Sequence, residues 1–152
     1  MKINIVCIGK LKEDYFIKAQ TEYLKRLSRF DSISIIECPE ANPSKSIEEQ
    51  CNIEGENILS KTHGLMVALD IKGKKFSSEA FANFIENKRV EGVSEISFVV
   101  GGSNGLSDEV KKKADILFSF SDMTFPHQLF RIMLLEQIYR AETILNHIPY
   151  HK

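Results

Sequence analysis

The sequence has no tryptophan, only four prolines and three cysteines among 152 residues, and no long apolar run. A membrane-spanning helix needs roughly 20 consecutive apolar residues, and nothing here approaches that. Cys7, Cys38 and Cys51 are odd in number and far apart, which suits free thiols in a reducing compartment better than disulfides. No metal site is expected. The cysteines do not cluster, and Pro149 lies between His147 and His151, disfavouring the regular helix that would stack the two rings. There is no G-x-S-x-G elbow for a serine nucleophile. The glycine stretch Gly101-Gly102-Ser103-Asn104-Gly105 lacks the G-x-G-x-x-G spacing, a GK[ST] ending and any Lys or Arg. A pyrophosphate or triphosphate site is thereby disfavoured. The N-terminus, Met1-Lys2-Ile3-Asn4-Ile5-Val6, enters a strand pattern with no signal-peptide core, so a cytoplasmic protein is expected.

Net charge is also nearly absent, at −1, which argues against a strong, indiscriminate nucleic-acid binder. The total conceals a polarity. Between Met1 and Phe30 seven Lys or Arg face three acids, whereas between Glu37 and Glu56 six Glu face Lys45 alone. The basic part can meet phosphates or simply present a solvated helix face.

What is present is a regular alternation. Strands are predicted at Lys2–Ile8, Ser32–Glu37, Leu65–Ile71, Ile96–Val100 and Ile116–Ser119, several of them apolar on both faces. Helical spacing of Tyr15, Phe16, Ala19, Tyr23, Leu24 and Leu27 predicts a helix over Glu13–Leu27. Ser46 is placed to cap a helix reaching Lys61, with Ile47, Cys51, Ile58 and Leu59 as its buried stripe. Ser77-Ser78 precede a helix carrying Phe81, Phe84 and Ile85, and Ser107 caps a short one. The pattern predicts one α/β domain over residues 1–152, a mostly parallel sheet with helices on both faces.

The chain is organised around its last fifth. A polar loop, Phe120-Ser121-Asp122-Met123-Thr124-Phe125, ends at Pro126, which suits a first helical turn. The helix beyond it is apolar over more than one face, and a second copy of the chain is the economical cover. Ligands of open parallel sheets bind beyond the carboxyl ends of the strands. Three loops lie there: Leu69–Gly73, Gly101–Gly105 and Phe120–Phe125. Adjacent glycines let backbone approach a flat ligand, or make only a tight turn. His127 is either a proton acceptor, its imidazolium disfavoured at a helix N-terminus, or a packing histidine. Arg131, one turn on, needs an anion: Glu136, Asp122 or a substrate phosphate.

The runs Val99-Val100-Gly101-Gly102-Ser103-Asn104-Gly105, Phe118 through Gln128, Glu136-Gln137-Ile138-Tyr139-Arg140-Ala141 and Tyr150-His151-Lys152 closely resemble one bacterial family. It is the ribosomal RNA large subunit methyltransferase H family, of the SPOUT class. The opening Lys2-Ile3 to Lys12 and Leu69-Asp70-Ile71-Lys72-Gly73-Lys74 match too, so the resemblance spans the chain. It implies a C-terminal trefoil knot, a homodimer, and S-adenosylmethionine held by Leu69, Gly101 and Phe120, Ser121, Asp122, Met123, Thr124 and Phe125. It further implies methylation of N3 of a pseudouridine in the helix 69 loop of 23S rRNA, on the assembled 70S ribosome.

On that basis His127 or His151 is expected to take up the N3 proton, and Arg131 to engage a phosphate or developing charge. RNA contacts are expected from Lys18, Lys25, Arg26, Tyr150, His151 and Lys152, with Tyr150 either stacked on a base or packed in the dimer. The alternatives are a non-enzymatic nucleotide- or RNA-binding module on the same scaffold, and methylation of another RNA such as tRNA.

Overall fold

In the computed structural model, which describes all 152 residues, five strands pair in the order β2-β1-β4-β3-β5. They are β1 (Lys2–Ile8), β2 (Ser32–Cys38), β3 (Leu65–Lys75), β4 (Glu95–Val100) and β5 (Ile116–Ser119). Every pairing is parallel, because a helix returns the chain after each strand: α1 (Asp14–Leu27), α2 (Ile47–Lys61), α3 (Ser78–Val90), α4 (Asp108–Lys113) and finally α5 (His127–Leu145). The sheet is therefore wholly rather than mostly parallel. β5 pairs with β3, not with the preceding β4, a crossover compatible with the trefoil that the resemblance implies.

One face of the sheet, through Ile5, Val67, Phe98 and Phe118, packs on α1, α3 and α5. The other, through Val6, Ala68 and Val99, packs on α2 and α4. Local chemistry fixes the helix starts. Ser46 accepts the Glu49 N–H while Glu49 accepts the Ser46 N–H, a complete capping box. Ser77 and Ser107 cap α3 and α4 in the same sense.

Four local expectations change. β3 runs past Ile71 to Lys75, because Leu69 and Lys74 both pair with Phe118 and the residues between them bulge out. Gly73 permits this: a β-carbon there would lie 2.6 Å from the Leu117 carbonyl carbon. Tyr15 is 63% exposed and Ile47 65% exposed, each in the first turn of its helix. Pro126 is the N-cap of α5 rather than part of its first turn. Finally, α1 and α3 flank α5, so one chain buries most of the circumference that a second copy was expected to cover; Leu129 stays 37% exposed.

Candidate active site

The carboxyl ends of β3, β4 and β5 open into a cleft of about 560 Å3, within the usual small-ligand range. Its walls come from three loops and the start of α5. Leu69, Asp70 and Ile71 come from the end of the first β3 segment and its bulge, Gly101, Gly102, Ser103, Gly105 and Leu106 from the glycine loop, and Phe120, Met123 and Phe125 from the last loop, with His127 and Phe130 behind them. The three expected loops thus converge.

Each loop is shaped by its own residues. Gly105 donates to the Gly102 carbonyl at 3.0 Å and closes a tight turn. A β-carbon on Gly101 would come within 2.7 Å of the Gly105 carbonyl carbon, so this close approach needs glycine. Asn104 ties the turn to α2 through Gln50, at 3.0 Å. In the last loop the Ser119 hydroxyl donates to the Ser121 carbonyl, and the Ser121 hydroxyl accepts the Met123 N–H, both at 3.0 Å. These local bonds fold the segment back over the cleft.

No Lys or Arg lines the cleft; its titratable groups are Asp70 and His127. Burial opposes ionisation of Asp70, but the Lys72 N–H and the Lys111 ammonium outweigh it and hold the carboxyl below its ordinary range. A cleft with aromatic and aliphatic walls, close-set backbone and no cation suits an adenosine joined to a sulfonium, so these residues fit S-adenosylmethionine.

The structure sorts the remaining expected residues. Leu69, Gly101, Phe120, Ser121, Met123, Thr124, Phe125 and His127 all line the cleft. Asp122 does not: its carboxylate is 82% exposed and pairs with Lys75, because the loop turns it outward. Arg131 is 1% exposed and has neither expected intramolecular partner. It donates to Glu37 and to the Gly9 carbonyl, each at 2.8 Å, because the start of α5 lies beside the ends of β1 and β2. Its guanidinium fastens α5 to those strands rather than facing a phosphate, and Gln128 adds a bond from the Lys12 N–H at 3.1 Å.

The tail lies apart from the cleft. His151 bonds Glu79 at 2.8 Å and Arg140 at 3.2 Å, bridging α3 and α5. Tyr150 packs edge-on against Tyr139, at 4.9 Å between centroids, beneath Arg140. Its hydroxyl donates to Glu136 at 3.1 Å, and burial leads the causes that push its pKa up to about 12. The ring is thus committed within its own chain. On α1, Lys18 pairs with Asp14 and Arg26 with Glu22, while Lys25 and, in the tail, Lys152 are exposed.

Two neighbours of the cleft were not anticipated. Phe130 lines it, and its spacing of three from His127 was the available signal. Glu54 lies just behind Gly102. It falls on the stripe that Cys51 and Ile58 define at helical spacing, where an acid is unexpected.

Comparison with known proteins agrees with this geometry. Residues 1–151 match the family model described as "Predicted SPOUT methyltransferase". Ribosomal RNA large subunit methyltransferase H 1 of Clostridium perfringens is 52% identical over 159 aligned residues, covering 100% of both chains. The corresponding enzyme of Carboxydothermus hydrogenoformans is 47% identical with the same coverage. Among solved structures, a methylase family protein from Haemophilus influenzae superposes with a TM-score of 0.55 at 14% identity, covering 99% of this chain and 70% of that one. Another from Neisseria gonorrhoeae gives 0.52 at 12%, covering 98% and 95%. The structural likenesses speak to the fold and the full-length sequence matches to descent; on both, the chain belongs to the SPOUT methyltransferase family.

Proposed function

We propose that this protein methylates ribosomal RNA of the large subunit, at N3 of a pseudouridine in the helix 69 loop of 23S rRNA, acting as a homodimer on the assembled 70S ribosome in the cytoplasm. The observation that carries the reading is the convergence of three strand-end loops on one cation-free cleft beside His127. Full-length relatives bearing the name ribosomal RNA large subunit methyltransferase H support the substrate class.

The bound cofactor supplies a methyl group on a sulfonium centre, so transfer to a nitrogen needs no covalent enzyme intermediate. The chain's task is to hold donor and acceptor in line and to remove the imide proton. Leu69, Ile71, Phe120 and Phe125 would wall the adenosine part, and backbone groups of the glycine loop and of Ser119–Phe125 would bind its polar edges. His127 is the proton acceptor we favour, because it alone among the proposed bases lines the cleft. A second subunit would have a largely apolar cavity of about 440 Å3 to cover, with Tyr23, Phe76, Phe125, Ile132 and Met133 in its walls. From that subunit Lys18, Lys25 and Arg26 would add phosphate contacts, and Lys152 and the tail would approach the RNA.

Incubation with radiolabelled S-adenosylmethionine and intact ribosomes, free 23S rRNA or tRNA tests the proposal. Label is expected in ribosomes, at the pseudouridine, and His127→Ala should slow a single turnover by about 10²-fold or more. Label in tRNA would transfer the activity to another RNA. Donor binding without incorporation into any of them would favour the non-enzymatic module.

A further inference from the structure

At Gly102 the floor of the cleft is one glycine thick. Behind it stands Glu54 of α2, only 6% exposed. Its Oε1 accepts the Ala41 N–H at 3.1 Å. Its Oε2 is buried with no hydrogen-bond partner, 3.2 Å from where a β-carbon on Gly102 would stand. Ile8 lies 3.1 Å from the same point. Burying a carboxylate with an unused acceptor is costly, and packing alone is better served by an apolar residue. The free oxygen lies against the segment that forms the cleft, whose lining holds no Lys or Arg; Lys111, beside it, is paired with the Asp70 carboxylate.

We propose that Glu54 is a specificity-determining residue, whose buried charge behind Gly102 favours the cationic sulfonium donor over the neutral thioether left after methyl transfer. In a low-dielectric interior a unit charge acts across several ångströms with little screening. Transfer of the methyl removes the positive charge on sulfur, so the same field that holds the donor ceases to hold the product. Gly102 makes this possible, since any side chain there would push the carboxylate back. The inference rests on the cleft being the S-adenosylmethionine site.

The test is calorimetric titration of the wild-type protein and Glu54→Gln with S-adenosylmethionine and, separately, S-adenosylhomocysteine. Glutamine keeps the shape and the bond to Ala41 but removes the charge. The donor should bind about three- to tenfold more weakly to the variant, as expected for one partly screened charge, while the thioether changes by less than about twofold. Equal weakening of both ligands would reduce Glu54 to a structural prop and overturn the proposal. Binding of neither ligand by the wild type would overturn the cofactor reading, and this one with it. If the variant does not fold, the wild type still decides with an analogue bearing a tertiary amine in place of the sulfonium. In the wild type and in Asp70→Asn, which removes the carboxylate that lines the cleft, its affinity relative to the thioether should rise as pH falls through the amine's pKa; a ratio flat with pH, or a rise confined to the wild type, rejects the proposal.

Discussion

On the α1, α3 and α5 side of the sheet eighteen residues form the buried core, with Phe81, Phe98, Phe118 and Tyr139 among them; on the α2 and α4 side nine do, and none is aromatic. The first side is held by ring area. Phe81 stacks on Phe118 at 5.2 Å, Phe118 meets Phe120 at 5.3 Å, and Phe120 meets Phe130 at 4.7 Å. The same ladder that fills the core therefore ends as a wall of the cleft. The second side is held by close backbone approach: Gly55 of α2 lies against Ser107, and Gly102 against Glu54. Stability should depend mainly on the first face, and the glycine loop's shape on the second.

The largest way to break this contrast is Phe81→Ala. The side chain is 2% exposed and touches Phe84, Phe98 and Phe118, so its removal leaves a cavity that rigid neighbours fill poorly. A loss of about 3–5 kcal/mol is expected from urea denaturation at an unchanged m-value. A loss below about 1 kcal/mol would mean that the aromatic face is not the stabilising one.

A smaller effect is expected from Gly55→Ala. The added carbon would lie 2.4 Å from the Ser107 hydroxyl oxygen, the group that caps α4 by accepting the Val110 N–H. Either the cap is lost or the two helices separate, at a cost of roughly 1–3 kcal/mol. Better helix propensity returns up to about 1 kcal/mol of that. Donor affinity should fall as well, because Ser107 ends the glycine loop. The same substitution in a Ser107→Ala background should cost clearly less, with only the Ser107 β-carbon and a Val110 methyl left, each at 3.2 Å. Additive costs across that double-mutant cycle would refute the contact.

The contrast also explains what could be read from the sequence. Ser46, Ser77 and Ser107 announce helix starts that the structure reproduces, because a cap is made by residues a few positions apart. Alternation and apolar runs locate β1 and β5 for the same reason. The three loops of the cleft were legible through the sheet rule, which needs only strand order and direction. Arg131 was not. Its partners, Glu37 and Gly9, are 94 and 122 residues away, whereas the acids considered for it were near in sequence. Glu54 and Asp122 show the same limit in opposite senses, one acid hidden and the other turned outward by tertiary packing alone. The extension of β3 through its bulge likewise depends on a strand that appears forty residues later.

The most modest test separates the two faces by pH. Glu142 of α5 is 1% exposed and shares Arg89 with Asp31, which also binds the Met1 amino group at 3.1 Å. Burial is the main cause that pushes its carboxyl from the ordinary 4.5 up to about 7, against the pull of Arg89. A group raised on folding binds its proton more tightly in the native state. Its stabilising contribution is thus full below about pH 4.5 and is lost as pH rises to about 7. Asp70, held low, works in the opposite sense: its contribution is full above about pH 3.8 and is lost only as pH falls into the acid range. Between about pH 5 and 7 the wild type should therefore lose stability with rising pH, by at most about 1.4 kcal/mol per unit for one proton. Glu142→Gln keeps a neutral side chain at every pH, so it should flatten that slope in urea midpoints measured across the window. Equal slopes in the two proteins would show that the Arg89 network holds Glu142 ionised throughout, and that the larger face tolerates a buried charge as readily as the smaller one.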